Sequence, residues 1–185
     1  MKNKKLLAGA LRKLIYCLLI LLAFILQFTV FPKMNITLPL YLLIPLTISI
    51  ALAEKEFTGM LTGLFAGALW DLASPVTDGF LALTFCTIGF LTGLFARYLL
   101  RNTILTALLL NAAATAVYSV ILEFHFIETV SFELLPQIIK EHFIIPIIFT
   151  LIIALPVHFI VMLTDLTTKH REKPYAPVLQ KEINI

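Results

Sequence analysis

Four histidines, two cysteines and an aspartate at the edge of an apolar stretch are the residues through which this chain could do chemistry. Imidazole and carboxylate groups are common zinc ligands, so His125 and His142 with Glu123 or Glu141 could be combined into a site, yet no HExxH or comparable spacing arranges them. Cys17 and Cys86 both lie in apolar runs, which suggests neither a disulfide framework nor a metal site. His158, inside another apolar run, suits a hydrogen bond to a neighbouring helix better than a proton path. There is no serine or cysteine nucleophile motif, no phosphate-binding glycine loop and no pair of membrane carboxylates. The sequence therefore offers no positive argument for an enzyme, a metal or a cofactor.

Spacing is more informative than residue type. Gly59, Gly63 and Gly67 recur every fourth residue and Asp71 takes the next step, so all four share one helix face. Gly89, Gly93 and Arg97 repeat the step after a short turn containing Gly79. In lipid no hydrophobic force draws helices together, and glycine stripes matter because they let backbones approach closely. The expected result is a close-packed hairpin over 57–97, a helix-packing or partner-binding surface. Asp71 either caps the hairpin turn, is hydrated near the membrane surface, or faces a partner, since a carboxylate beside an apolar run is costly to bury. Arg97 and Arg101 are expected to anchor on lipid phosphates, because antiparallel helices put Arg97 at the opposite membrane face from Asp71. Asn111, beside Ala112, Ala113, Ala114, Thr115 and Ala116, suggests a second close packing face.

The elements that must carry these residues follow from composition. Hydrophobic residues make up 60% of the chain and charged residues 14%, too apolar for a water-soluble fold of 185 residues. Runs near the ~20 residues that cross a bilayer occur at 14–31, 36–53, 57–73, 80–96, 104–122 and 143–163. The first follows a basic start and lacks a small-residue cleavage site, so it reads as a retained anchor. Pro45 predicts a kink in the second, and Pro146 and Pro156 lie in the sixth. The expected fold is all-α, a polytopic membrane bundle of about six transmembrane helices, with one transmembrane domain over 1–168 and a cytoplasmic tail over 169–185. Within the outer connection 123–142, Leu134, Leu135, Ile138 and Ile139 share a helical face, which fits either a helix lying on the membrane or an amphipathic start to the sixth span.

Charge then orients the bundle. Alternating six spans puts Lys2, Lys4, Lys5, Arg12, Lys13, Lys55, Arg97, Arg101, Lys169, Arg171, Lys173 and Lys181 on one side, against Lys33 and Lys140 on the other. Basic residues mark the cytoplasmic side, so both termini are expected there. Cations gathered beside hydrophobic segments meet membrane lipids, and no groove for nucleic acid is implied.

The stretch Gly59 to Arg101, GMLTGLFAGALWDLASPVTDGFLALTFCTIGFLTGLFARYLLR, resembles the rod shape-determining protein MreD family. The positions that carry the resemblance are Gly67, Asp71, Gly79, Gly89, Gly93 and Arg97. It implies a non-enzymatic membrane subunit of the machinery that elongates the bacterial cell wall, in the inner membrane. Its implied partners are MreC and, through it, MreB, the glycosyltransferase RodA and a class B penicillin-binding transpeptidase. A rival resemblance is to the substrate-binding S components of energy-coupling-factor vitamin transporters, which share the six-helix layout and a glycine-and-aspartate step in the third helix. Those proteins usually carry an alanine pair at four-residue spacing on the first helix, whereas 14–31 holds only Ala23, and Trp70 is the sole tryptophan.

Overall fold

The computed structural model describes residues 2–33, 41–73, 79–98, 104–126 and 143–168, and the regular structure among them is helical. Helix α1 runs Lys2–Ile25 and continues through a π-turn, Leu26–Val30, into Phe31–Lys33. Then follow α2 (Leu43–Glu54), α3 (Glu56–Ala73), α4 (Phe80–Tyr98), α5 (Ile104–Phe126) and α6 (Ile145–Thr168). Three stretches, Gly9–Lys33, Phe80–Tyr98 and Ile145–Leu166, are long and apolar enough to cross a membrane, and Leu43–Glu54 and Ile104–Val120 are shorter apolar helices. In α3, Glu56, Asp71 and three glycines dilute the apolar content. The fold is an all-α membrane bundle.

Local chemistry moves some boundaries from where the sequence suggests them. Helix α2 starts at Leu43, so Pro45 occupies its first turn, where a missing N–H forfeits no helical bond, and the expected kink at Pro45 does not form. Pro146 likewise falls in the first turn of α6, leaving Pro156 inside that helix. Helix α5 continues to Phe126, past the expected end at Leu122, and takes 123–126 out of the outer connection. The rest of that connection, the first part of the second expected span and the tail 169–185 lie outside the described residues.

Side-chain contacts give each helix a direction. Gln27 and Arg12 of α1 meet Leu42 and Glu54 at opposite ends of α2, so these two helices are antiparallel. Gly59 faces Gly89 and Gly67 faces Leu81, so α3 and α4 are antiparallel. Tyr118 stacks on Tyr41 at the start of α2, whereas Ser49 meets His158 and Arg12 joins Glu54 to Asp165. Helix α5 therefore opposes α2, and α6 runs parallel to it. Among the described residues the six helices alternate in direction, gathering Arg12, Lys55 and Arg97 at one end.

Helix α2 forms the axis and touches each of the other described helices. Its residues from Leu43 to Leu52 are buried without interruption. An apolar pattern with no polar face explains this, since a helix hydrophobic all round has no side suited to water. In a membrane protein the outer surface is apolar too, and leucines of α1 such as Leu14 and Leu18 are well exposed, as lipid-facing residues would be.

Candidate functional site

The α3–α4 hairpin holds the most extensive helix–helix contact among the described residues. A Cβ placed on Gly67 would lie 2.5 Å from the Leu81 carbonyl oxygen and 2.6 Å from Ala82 Cα. One on Gly59 would lie 2.6 Å from the Gly89 oxygen and 2.7 Å from Ala51 Cβ, and one on Gly93 would lie 2.5 Å from Glu56 Cα. Gly63 against the Phe85 carbonyl and Gly89 against the Gly59 carbonyl are closer still. The obstructing atoms are mostly backbone, so no rotamer change relieves the overlap. Gly79 differs: a Cβ there meets nothing within 4 Å, but its φ of +86° is in the left-handed region, which glycine enters without a steric penalty.

Charged groups fasten both ends of this hairpin. Asp71, at the end of α3, accepts hydrogen bonds from the backbone N–H of Leu81 (3.2 Å) and of Ala82 (2.8 Å). These are first-turn amides of α4 without intrahelical acceptors, and a carboxylate also complements the positive end of the helix dipole. Asp71 is thus an N-cap supplied from the neighbouring helix. At the opposite end Arg97 pairs with Glu56 and lies 5.4 Å from the Tyr98 ring centroid. A hydrogen bond from its own backbone N–H, and then the Arg97 guanidinium, hold the Glu56 carboxyl below the usual carboxylate value. Beside the lipid phosphates that its position in the sequence suggests, Arg97 thus has a carboxylate of its own hairpin as a partner. Arg101 lies outside the described residues.

A second set of polar groups holds α1 to α2. Arg12 pairs with Glu54, donating from Nη2 to Oε2 at 2.8 Å, and reaches Asp165 of α6 at 3.2 Å. The three side chains are 18%, 7% and 17% exposed, so this cluster is largely withdrawn from solvent. Tyr16, one turn along the same face of α1, is buried beside it. At the other end of α2, Gln27 Oε1 accepts from the N–H of Leu42 at 2.8 Å and of Leu43 at 3.3 Å, capping that helix from outside. The π-turn begins at the residue before Gln27. Next to the Glu54 clasp, Lys55 joins α2 to α3 with φ of +77°, the one positive value at a non-glycine among the described residues.

Sequence reasoning missed three of these features. They are the capping by Gln27, the meeting of Arg12 with Glu54, and the clustering of aromatic rings, none of which a sequence motif marks. Trp70 stacks with Phe28, Tyr41, Phe85 and Tyr118 at centroid distances of 5.0 to 5.7 Å. The available signal was that each ring sits near the same end of its helix once directions alternate. His158 does meet a neighbouring helix, with Nδ1 3.3 Å from Ser49 Oγ. Of the residues raised for a zinc site, His125 and Glu123 fall in α5 with their side chains outside the described set, and Glu141 and His142 lie outside it entirely. Among the described residues no three histidine, cysteine or acidic side chains form a group that could hold a metal.

The fold and its clasps define an all-helical membrane bundle whose motif residues bind helix to helix. The family model described as rod shape-determining protein MreD matches residues 9–165, and the chain belongs to this family. It is accordingly a membrane protein of the rod-shape system. No curated protein and no solved structure matches the chain.

Proposed function

We propose that this protein is a non-enzymatic scaffold subunit of the complex that elongates the bacterial cell wall, and that it crosses the inner membrane six times with both termini in the cytoplasm. Its partners on this reading are MreC directly, and MreB, RodA and a class B penicillin-binding transpeptidase through MreC. Family membership over residues 9–165 carries the proposal. The engagement of the motif's charged groups supports it: Asp71 caps α4 and Arg97 pairs with Glu56, so they set the shape of a hairpin. The alternation of helix directions, which gathers Arg12, Lys55 and Arg97 at one end, agrees with the orientation that the basic residues favour.

Tagged protein purified from its own cells in mild detergent tests this reading. Recovery of MreC, reduced by a substitution that disrupts the hairpin such as Gly63→Leu, is expected. Recovery of an ATPase pair with a coupling subunit, together with a stoichiometric vitamin, would overturn it in favour of the transporter reading.

A further inference from the structure

The joint between α2 and α3 is a single residue, Lys55. Its backbone N–H donates to the Ala51 carbonyl at 3.0 Å and its carbonyl accepts from the Gly59 N–H at 3.0 Å, so it closes one helix and opens the next. Its neighbours are tied to two other helices, Glu54 by Arg12 and Glu56 by Arg97. Helix α4 presses on the same joint, because a Cβ on Gly93 would lie 2.6 Å from the Lys55 carbonyl carbon. Four helices thus hold this backbone in place.

The conformation they hold is one that lysine rarely adopts. With φ of +77° and ψ of −174°, Lys55 occupies a region that is open to glycine and crowds the Cβ of other residues. Glycine would make the same joint without strain. The Lys55 side chain is exposed, so no packing in the core compensates for it. Strain of this kind is retained where a side chain acts on something beyond the fold.

The surroundings indicate the chemistry of that target. Lys55, Glu56 and Arg97 together carry one net positive charge, and the Arg97 guanidinium lies over the ring of Tyr98, itself 67% exposed. Two residues past the joint an apolar lane begins on α3, where exposed Phe57, Leu61 and Leu64 share a face over about 10 Å of helix. A fixed cation, an aromatic ring with a polar tip and an apolar lane leading along the bundle match the phosphate and acyl chain of one lipid molecule.

We propose that Lys55 is the headgroup ligand of an anionic-phospholipid site at the basic end of the hairpin, with Phe57, Leu61 and Leu64 along the acyl chain. The ammonium meets the phosphate, and the Arg12–Glu54 and Arg97–Glu56 pairs keep the strained joint from relaxing away from it.

Native mass spectrometry of the intact protein in mild detergent, with phosphatidylglycerol or phosphatidylcholine added, tests this. The parent should retain phosphatidylglycerol over phosphatidylcholine, and inorganic phosphate should not displace it. Lys55→Gly and Lys55→Gln should each retain about fivefold less phosphatidylglycerol, the weight of one lysine at an anionic surface, and Lys55→Arg should keep it. Lys55→Gly also relieves the strain, so without lipid its Tm should be at or above the parent's, which separates loss of the site from loss of the fold. Undiminished retention by Lys55→Gly would overturn the proposal, as would an equal loss from Lys13→Gln on the exposed side of α1, the response of diffuse attraction. Equal retention of phosphatidylcholine, displacement by inorganic phosphate, or a lower Tm of Lys55→Gly without lipid would overturn it too, the last because the lysine would then serve the fold itself.

Discussion

The two halves of this bundle solve one problem by opposite means. Helices α3 and α4 touch backbone to backbone along Gly59, Gly63, Gly67, Gly89 and Gly93, with almost no buried polar side chain between them. Helices α2, α5 and α6 bury hydroxyl, amide and imidazole groups instead, and α1 is tied to α2 by Arg12 and Gln27. In lipid, apolar surface is no reason for helices to associate, so adhesion must come from closer dispersion contact or from polar bonds that lipid cannot replace. The hairpin uses the first, and its shape tolerates no added atoms. The other half uses the second, and its shape depends on particular partners.

The largest expected effect lies in the hairpin. Gly63→Leu pushes a side chain into the Phe85 backbone, and overpacking of this kind costs about 1–3 kcal/mol or more. Lower abundance in membranes and a lower Tm in detergent are expected, whereas Leu64→Ile on the exposed side should change little. In the polar half, Arg12→Ala leaves Glu54 and Asp165 largely buried without their shared cation. Charge-assisted bonds are worth ~1.5–3 kcal/mol, so thermal unfolding should show a loss of that order. A loss no larger than that from Lys13→Ala would mean that the cluster is not what fastens α1.

Asp71→Ala should cost less, about 0.5–2 kcal/mol, the usual range for removing an N-cap. Hydrogen exchange should locate the loss at the first-turn amides of α4, Leu81 and Ala82, and protection there equal to the parent would refute the capping role. Smallest is the Glu56–Arg97 pair, which is more exposed. The Glu56 carboxyl titrates below its ordinary value of 4.5, so its contribution is present above that pH and is lost as the pH falls through the folded value. Tm should decline slightly on acidification below 4.5, and Glu56→Gln should remove part of that decline.

Much of the hairpin is legible in the sequence because a helix repeats every 3.6 residues and glycine says where a neighbour comes close. Gly59, Gly63 and Gly67 announce a face, and Asp71 at the next step marks its end. What faces that end is not legible: a cap on Leu81 depends on the turn bringing α4 back beside α3. The clasps on α2 are harder still. Arg12 and Glu54 are 42 residues apart and Arg12 and Asp165 are 153 apart, so their meeting depends on the whole helix arrangement. Gln27 is hidden for another reason: its acceptors are satisfied by backbone amides, which leave no trace in residue type. Pro45 misled because a proline signals a kink or a helix start depending on a boundary that an unbroken apolar run does not mark.

The sign of a glycine-to-alanine change tests the central claim, that the hairpin is held by backbone approach at its glycines. In an open helix alanine is favoured over glycine by about 0.5–1 kcal/mol, and Gly9 of α1, with nothing within 4 Å of an added Cβ, is such a position. Gly63→Ala puts the same methyl against the Phe85 carbonyl. Thermal unfolding of both variants in one detergent should show Gly9→Ala at or above the parent Tm and Gly63→Ala below it. If Gly63→Ala raised the Tm as Gly9→Ala does, the helices would not be in backbone contact and the account of the hairpin would be wrong.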